Sequence, residues 1–166
     1  VYGGPGSQTV LDSWGGSRYL WHQSLAQRGY VVVSVDNRGT GGRGREFKKL
    51  TYLTLGEREA KDQIEAARWL AGQPFVDASR LGIWGWSYGG YMTALTMMTE
   101  GSPFKAGISV APVADWRLYD SIYTERFMRT PQENPAGYDR SSPVRMAPNL
   151  RGELLVIHGS GDDNVH

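Results

Sequence analysis

The chain has 166 residues, 40% hydrophobic and 21% charged, with a mean hydropathy of −0.44, which is one domain's worth of globular chain and excludes disordered, collagenous and low-complexity classes. Eighteen Lys and Arg against seventeen Asp and Glu leave a net charge of +1, too even for a nucleic-acid footprint, and no apolar run approaches the roughly 18 residues of a membrane span. The absence of cysteine removes a disulfide framework, a thiolate zinc site and a cysteine nucleophile.

The ends read as cut. Val1 opens directly on the loop signal Gly3-Gly4-Pro5-Gly6, no signal peptide is visible, and His166 falls within a loop of active-site type, so the chain reads as a fragment. In chain order, Tyr19 to Arg28 predicts a helix closed by Gly29. The β-branched run Tyr30 to Asp36 predicts a buried strand. Gly56 to Ala71 predicts an amphipathic helix, with Ala60, Ile64, Ala67 and Ala71 on one face and Glu57, Glu59, Lys61 and Arg68 outside. A strand over Arg80 to Gly85 leads into a helix over Gly89 to Glu100, and Phe104 to Ala111 is a further strand stopped by Pro112. Asp115 to Met128 has helical periodicity, Thr130 to Leu150 with its four prolines reads as an irregular excursion, and Glu153 to His158 is the last strand. Strands alternating with helices define the α/β class, a mostly parallel sheet with helices on both faces. Sites in such sheets lie beyond the carboxyl ends of the strands, where Asp36, Ser87, Pro112 and Asp162 fall.

Gly85-Trp86-Ser87-Tyr88-Gly89 is a G-x-S-x-G motif between a predicted strand and a predicted helix. Serine there occupies a strained turn that glycine neighbours permit, with Oγ held clear of the sheet. A serine nucleophile needs a base and an orienting acid, in chain order Ser, acid, His. Asp162 lies in a suitable loop after a later strand, and its neighbour Asp163 competes for the role. None of the three histidines suits the base: His22 precedes the serine, while His158 and His166 lie too close to Asp162. Read as metal ligands, His158, Asp162, Asp163 and His166 lack a supporting donor set, so no metal is assigned. Gly39-Thr40-Gly41-Gly42-Arg43-Gly44 matches G-x-G-x-x-G after a strand, yet Arg45 to Leu55 shows no clean helical face and no strand-ending acid follows at the required distance. It reads as a rim loop, not a dinucleotide site. Tyr2, in a glycine-rich loop, suits either packing or a hydrogen bond to an oxyanion, for which the Tyr88 amide is one donor.

Taken together, these residues resemble the catalytic α/β-hydrolase domain of the prolyl oligopeptidase family of serine peptidases, within it the dipeptidyl peptidase IV branch. The resemblance rests on Tyr2-Gly3-Gly4-Pro5, Asp62 to Ala67, Gly85 to Tyr91, Val110 to Val113, Tyr119 to Arg126, and His158 to His166. It implies Ser87 as nucleophile, Asp162 as the triad acid, and Tyr2 with the Tyr88 amide as the oxyanion hole. Val113, Trp116, Tyr119, Tyr123 and Asn164 match positions around a proline-binding pocket; without the resemblance the aromatic stretch reads as core.

The same resemblance implies parts not seen here: strands before Val1, a triad histidine after His166, and an N-terminal β-propeller whose paired glutamates grip a substrate's free amino terminus. The expected activity is removal of X-Pro or X-Ala dipeptides from peptide N-termini, with no cofactor. An acylaminoacyl peptidase or prolyl endopeptidase of the family, and a non-catalytic peptide-binding module, are the competing readings. The full protein is expected in a periplasmic or secreted location ahead of a cytoplasmic one, with a homodimer as the candidate assembly. By itself the fragment is expected to be inactive and prone to association.

Overall fold

A computed structural model describes residues 1–166. Three parallel strands form its sheet: β1 (Gly82–Trp86), β2 (Ala106–Val110) and β3 (Glu153–Ile157), in the order β1-β2-β3, with Gly82 opposite Ala106 and Ala106 opposite Glu153. Helix α4 (Tyr88–Met98) makes the crossover between β1 and β2, and every one of its residues is buried. It lies close because the strands offer it small residues. Ile83 and Gly85 of β1 and Gly107 and Ser109 of β2 alternate onto its side, and the Ser109 hydroxyl donates to the Gly90 carbonyl at 2.8 Å. A Cβ on Gly107 would come within 3.0 Å of Met97.

Helix α3 (Glu57–Ala71) packs behind α4 and buries Ala60, Ile64 and Ala67, as the sequence pattern predicts. It departs from the pattern at Glu59, which is fully buried and not on the outer face. Gly56 explains the entry: its φ of +86° turns the chain inward, where a side chain would collide with Tyr91 and Leu95. The first turn of α3 is thereby driven under α4, and position 59 goes with it.

Several expectations need correction. Helices cover one face of the sheet only; the other leaves Trp86, Leu155 and Ile157 exposed. Helix α1 (Gly16–Ala26) buries no residue, so it supplies no second layer. Tyr30 to Asp36 forms no ladder: β-branching favours an extended chain, but a strand needs a hydrogen-bonded neighbour, and these residues are held by side chains instead, such as Gln63 Nε2 to the Val35 carbonyl at 3.2 Å. The glycine loop does open a helix at once, α2 (Gly44–Lys49), although with six residues and no preceding strand it builds no βαβ unit.

The Asp115–Met128 helix is two pieces, a 3₁₀ turn at Trp116–Leu118 and α5 (Ser121–Met128), because Asp115 caps the first and Asp120 the second. The proline-rich stretch carries α6 (Pro135–Arg140), α7 (Pro143–Met146) and a 3₁₀ turn at Ala147–Asn149. Here Pro135 and Pro143 start helices, each behind a capping Asn134 or Ser142. The core gathers where these pieces meet α3 and α4, around Tyr91, Met92, Leu95, Trp116, Met128 and Tyr138.

Candidate active site

Ser87 stands between β1 and α4 with φ +57° and ψ −117°, a conformation that non-glycine residues rarely adopt and that costs on the order of 1–3 kcal/mol. The surroundings enforce it. The Ser87 amide donates to the Val110 carbonyl at 2.9 Å, and its carbonyl accepts from the Tyr91 amide at 2.9 Å. A Cβ on Gly85 or Gly89 would strike the Val1 carbonyl oxygen, and one on Gly90 the Val110 carbonyl. The glycines of the motif are thus the space in which the turn fits. Tyr88 begins α4, so its amide is among the first-turn N–H groups that lack a helical acceptor.

Beside Ser87 is a recess lined by Tyr2, Tyr88, Val113, Trp116, Tyr119 and Tyr123. Trp116 and Tyr123 lie nearly parallel with ring centres 5.9 Å apart, and Tyr119 meets Tyr123 edge-on at 5.4 Å. Ala111 turns the chain out of β2 with φ +45° and so brings Val113 and Trp116 back over α4. The Tyr2 ring stands 6.0 Å from that of Tyr88, and burial together with Tyr119 raises its phenol above the ordinary range, keeping it a neutral donor. The Tyr2 loop is pinned from beneath: Asn37 Nδ2 donates to the Gly3 carbonyl at 3.0 Å, and the Asp36 carboxylate accepts from the Thr9 and Val10 amides at 2.8 and 2.9 Å.

After β3, Asp162 and Asp163 part company. Asp162 Oδ1 accepts from the Val165 and Asn164 amides at 2.9 and 3.1 Å, and these bonds hold its carboxyl below the ordinary range. Asp163 is exposed. The Tyr119 hydroxyl donates to Asn164 Oδ1 at 3.4 Å, which ties this loop to the recess. His158 Nε2 lies 2.9 Å from the Val165 carbonyl, which requires its proton there, and 4.0 Å from Asp162. Neither it, His22 nor His166 hydrogen-bonds Ser87.

The predicted residues therefore converge in two groups, Ser87 with the aromatic recess and Asp162 with Asn164, joined through Tyr119. Sequence reasoning missed the layer beneath. The Tyr88 hydroxyl donates to buried Glu59 at 2.9 Å, and Gln63 Nε2 donates to Asn37 Oδ1 at 2.9 Å. The signal was slight: Glu59 is the third residue of a helix, where a carboxyl faces the N-terminus.

A parallel sheet whose first strand delivers a serine through a strained turn to the helix beneath is an α/β-hydrolase arrangement. The chain belongs to the prolyl oligopeptidase family, whose model matches residues 17–166. It is similar to a probable dipeptidyl-aminopeptidase B of Paracoccidioides lutzii, 52% identical over 172 aligned residues that take in all of this chain and 18% of that protein. Among solved structures it resembles dipeptidyl peptidase 4 of Porphyromonas gingivalis, with 57% identity and a TM-score of 0.93 over 99% of this chain and 23% of that one. A putative dipeptidyl aminopeptidase IV of Bacteroides ovatus gives 41% identity and a TM-score of 0.90 over 95% and 22%. The chain thus spans about a fifth of the length of these relatives, all of the dipeptidyl peptidase branch.

Proposed function

We propose that these residues carry the nucleophile, the orienting acid and the substrate pocket of a serine peptidase that releases X-Pro and X-Ala dipeptides from peptide N-termini. The observation that carries the reading is Ser87 on its strained turn at the mouth of an aromatic recess. Flat aromatic walls suit a pyrrolidine ring, whose burial removes apolar surface from water with little lost rotamer freedom.

Ser87 Oγ attacks the scissile carbonyl carbon while its proton passes to a histidine from outside these residues, which Asp162 orients. The carbonyl oxygen becomes an oxyanion, and the Tyr88 amide and Tyr2 hydroxyl donate to it. The C–N bond then breaks, the histidine returns the proton to the leaving amine, and water hydrolyses the ester on Ser87. The chain is part of a catalytic domain, and the rest of the protein supplies the groups that grip the substrate's free amine.

The test compares two substrates of the full-length protein, a free-amine X-Pro anilide and its N-acetylated form. Cleavage confined to the free amine is expected. Preference for the acetylated form would contradict the exopeptidase reading and favour an acylaminoacyl peptidase or endopeptidase.

A further inference from the structure

Glu59 has no part in the scheme above, yet none of its surface is exposed. Oε1 accepts the hydrogen bond from Tyr88, and Oε2 is buried with no hydrogen-bond partner. A phenol needs only a neutral acceptor, whereas a buried carboxyl with one bare oxygen is costly to keep. What it grips is the residue next to the nucleophile. The Tyr88 ring is fixed among Tyr91 at 5.2 Å, Trp116 at 5.5 Å and Tyr2 at 6.0 Å, and lines the recess beside Ser87.

We propose that Glu59 is a positioning residue for the Ser87 site: by holding the Tyr88 hydroxyl it fixes both a wall of the pocket and the amide one peptide bond from the nucleophile, and it holds more firmly when ionised. This rests on the peptidase reading of the same site. A hydrogen bond to a charged acceptor is roughly twice as strong as a neutral one, so protonation loosens the grip.

The groups around Glu59 allow that change near neutrality. Asp62 lies on the same helix, Tyr88 and Tyr91 face it from α4, and Tyr123 faces it from α5. The cation whose field reaches it, Arg38, is engaged with Asp62, its Nη2 2.6 Å from Oδ1. Burial raises the Glu59 carboxyl to about 7, opposed by the nearby Gly56 and Glu59 amides, which are poorly aligned for hydrogen bonds to it, and by the Tyr88 hydroxyl, with Asp62 adding to the rise.

The test uses the full-length protein and a free-amine X-Pro anilide between about pH 5 and 9. The unsubstituted protein should lose kcat/KM on the acid side more steeply than one protonation allows, from the catalytic histidine and Glu59 together. E59Q should lower kcat about tenfold at the alkaline plateau, leave KM within about twofold, and reduce the acid limb to one protonation. Y88F should do the same, and E59Q added to it should cost less than about twofold more. Independent, additive losses, or an E59Q profile identical to the unsubstituted one, would overturn the inference. A second readout needs no turnover. A tyrosine difference spectrum should titrate near pH 7 and vanish in E59Q and Y88F, and its absence from the unsubstituted protein would likewise overturn the inference. If that spectrum titrates while the anilide is not cleaved, the hold on Tyr88 stands and the peptidase reading fails.

Discussion

Replacing Glu59 by Gln should change how stability depends on pH, in a direction the burial of this carboxyl dictates. Its value is about 7 in the folded protein against an ordinary value of 4.5. Below the lower value both folded and unfolded chains carry the proton, and the group contributes no pH dependence. Between the two the unfolded chain ionises while the folded one stays protonated, so stability falls as pH rises by about 1.4 kcal/mol per unit. Well above pH 7 both are ionised and the loss is complete. The gap between those values amounts to roughly 3 kcal/mol. E59Q has no such ionisation, so the unfolding free energy of the variant minus that of the unsubstituted protein should rise by roughly 3 kcal/mol from pH 4 to pH 8. Guanidinium unfolding of both proteins, followed by tryptophan fluorescence at closely spaced pH values, measures that difference while other titrating groups cancel. A difference flat across this range would mean that Glu59 ionises as it does in water, and the argument from burial would fail.

Further outcomes follow from the site. D162N should nearly abolish turnover while D163N leaves most of it, because Asp162 is anchored by two amides and Asp163 is exposed; the reverse ranking in steady-state kinetics would move the acid to Asp163. Y2F should lower kcat about 100- to 1,000-fold with KM little changed, and an effect confined to KM would make Tyr2 a packing residue. The 166 residues expressed alone should associate and should not react with a fluorophosphonate, since one sheet face is bare and no histidine reaches Ser87; stoichiometric labelling of that chain at Ser87 would show that His158 or His166 can act as base.

The parts of the structure that were legible in the sequence are those fixed by local rules. The turn at Ser87 needs Gly85, Gly89 and Gly90 because carbonyl oxygens occupy the space their side chains would fill, so motif and geometry are one constraint. The apolar face of α3 follows from a period of 3.6 residues. What escaped depends on partners distant in sequence. Glu59 falls among charged positions that read as an outer face, and its burial depends on the inward turn at Gly56 and on Tyr88, its hydrogen-bond donor 29 residues later. Tyr30 to Asp36 has the composition of a strand, but a ladder is a property of two segments. The aromatic run from Trp116 to Phe127 shows packing and pocket alike as helical periodicity; family resemblance, not spacing, singled out the residues that line the recess. Pro135 and Pro143 could have been read correctly, since Asn134 and Ser142 immediately before them are capping residues.

The central claim is that Ser87 is the nucleophile of a serine peptidase, and covalent trapping tests it most directly. The full-length protein should react with a fluorophosphonate at one site, peptide mapping should place the adduct on Ser87, and S87A should lose both the adduct and about 10⁴- to 10⁶-fold in kcat. An adduct on another serine, or an S87A variant that keeps a tenth of the activity, would contradict it.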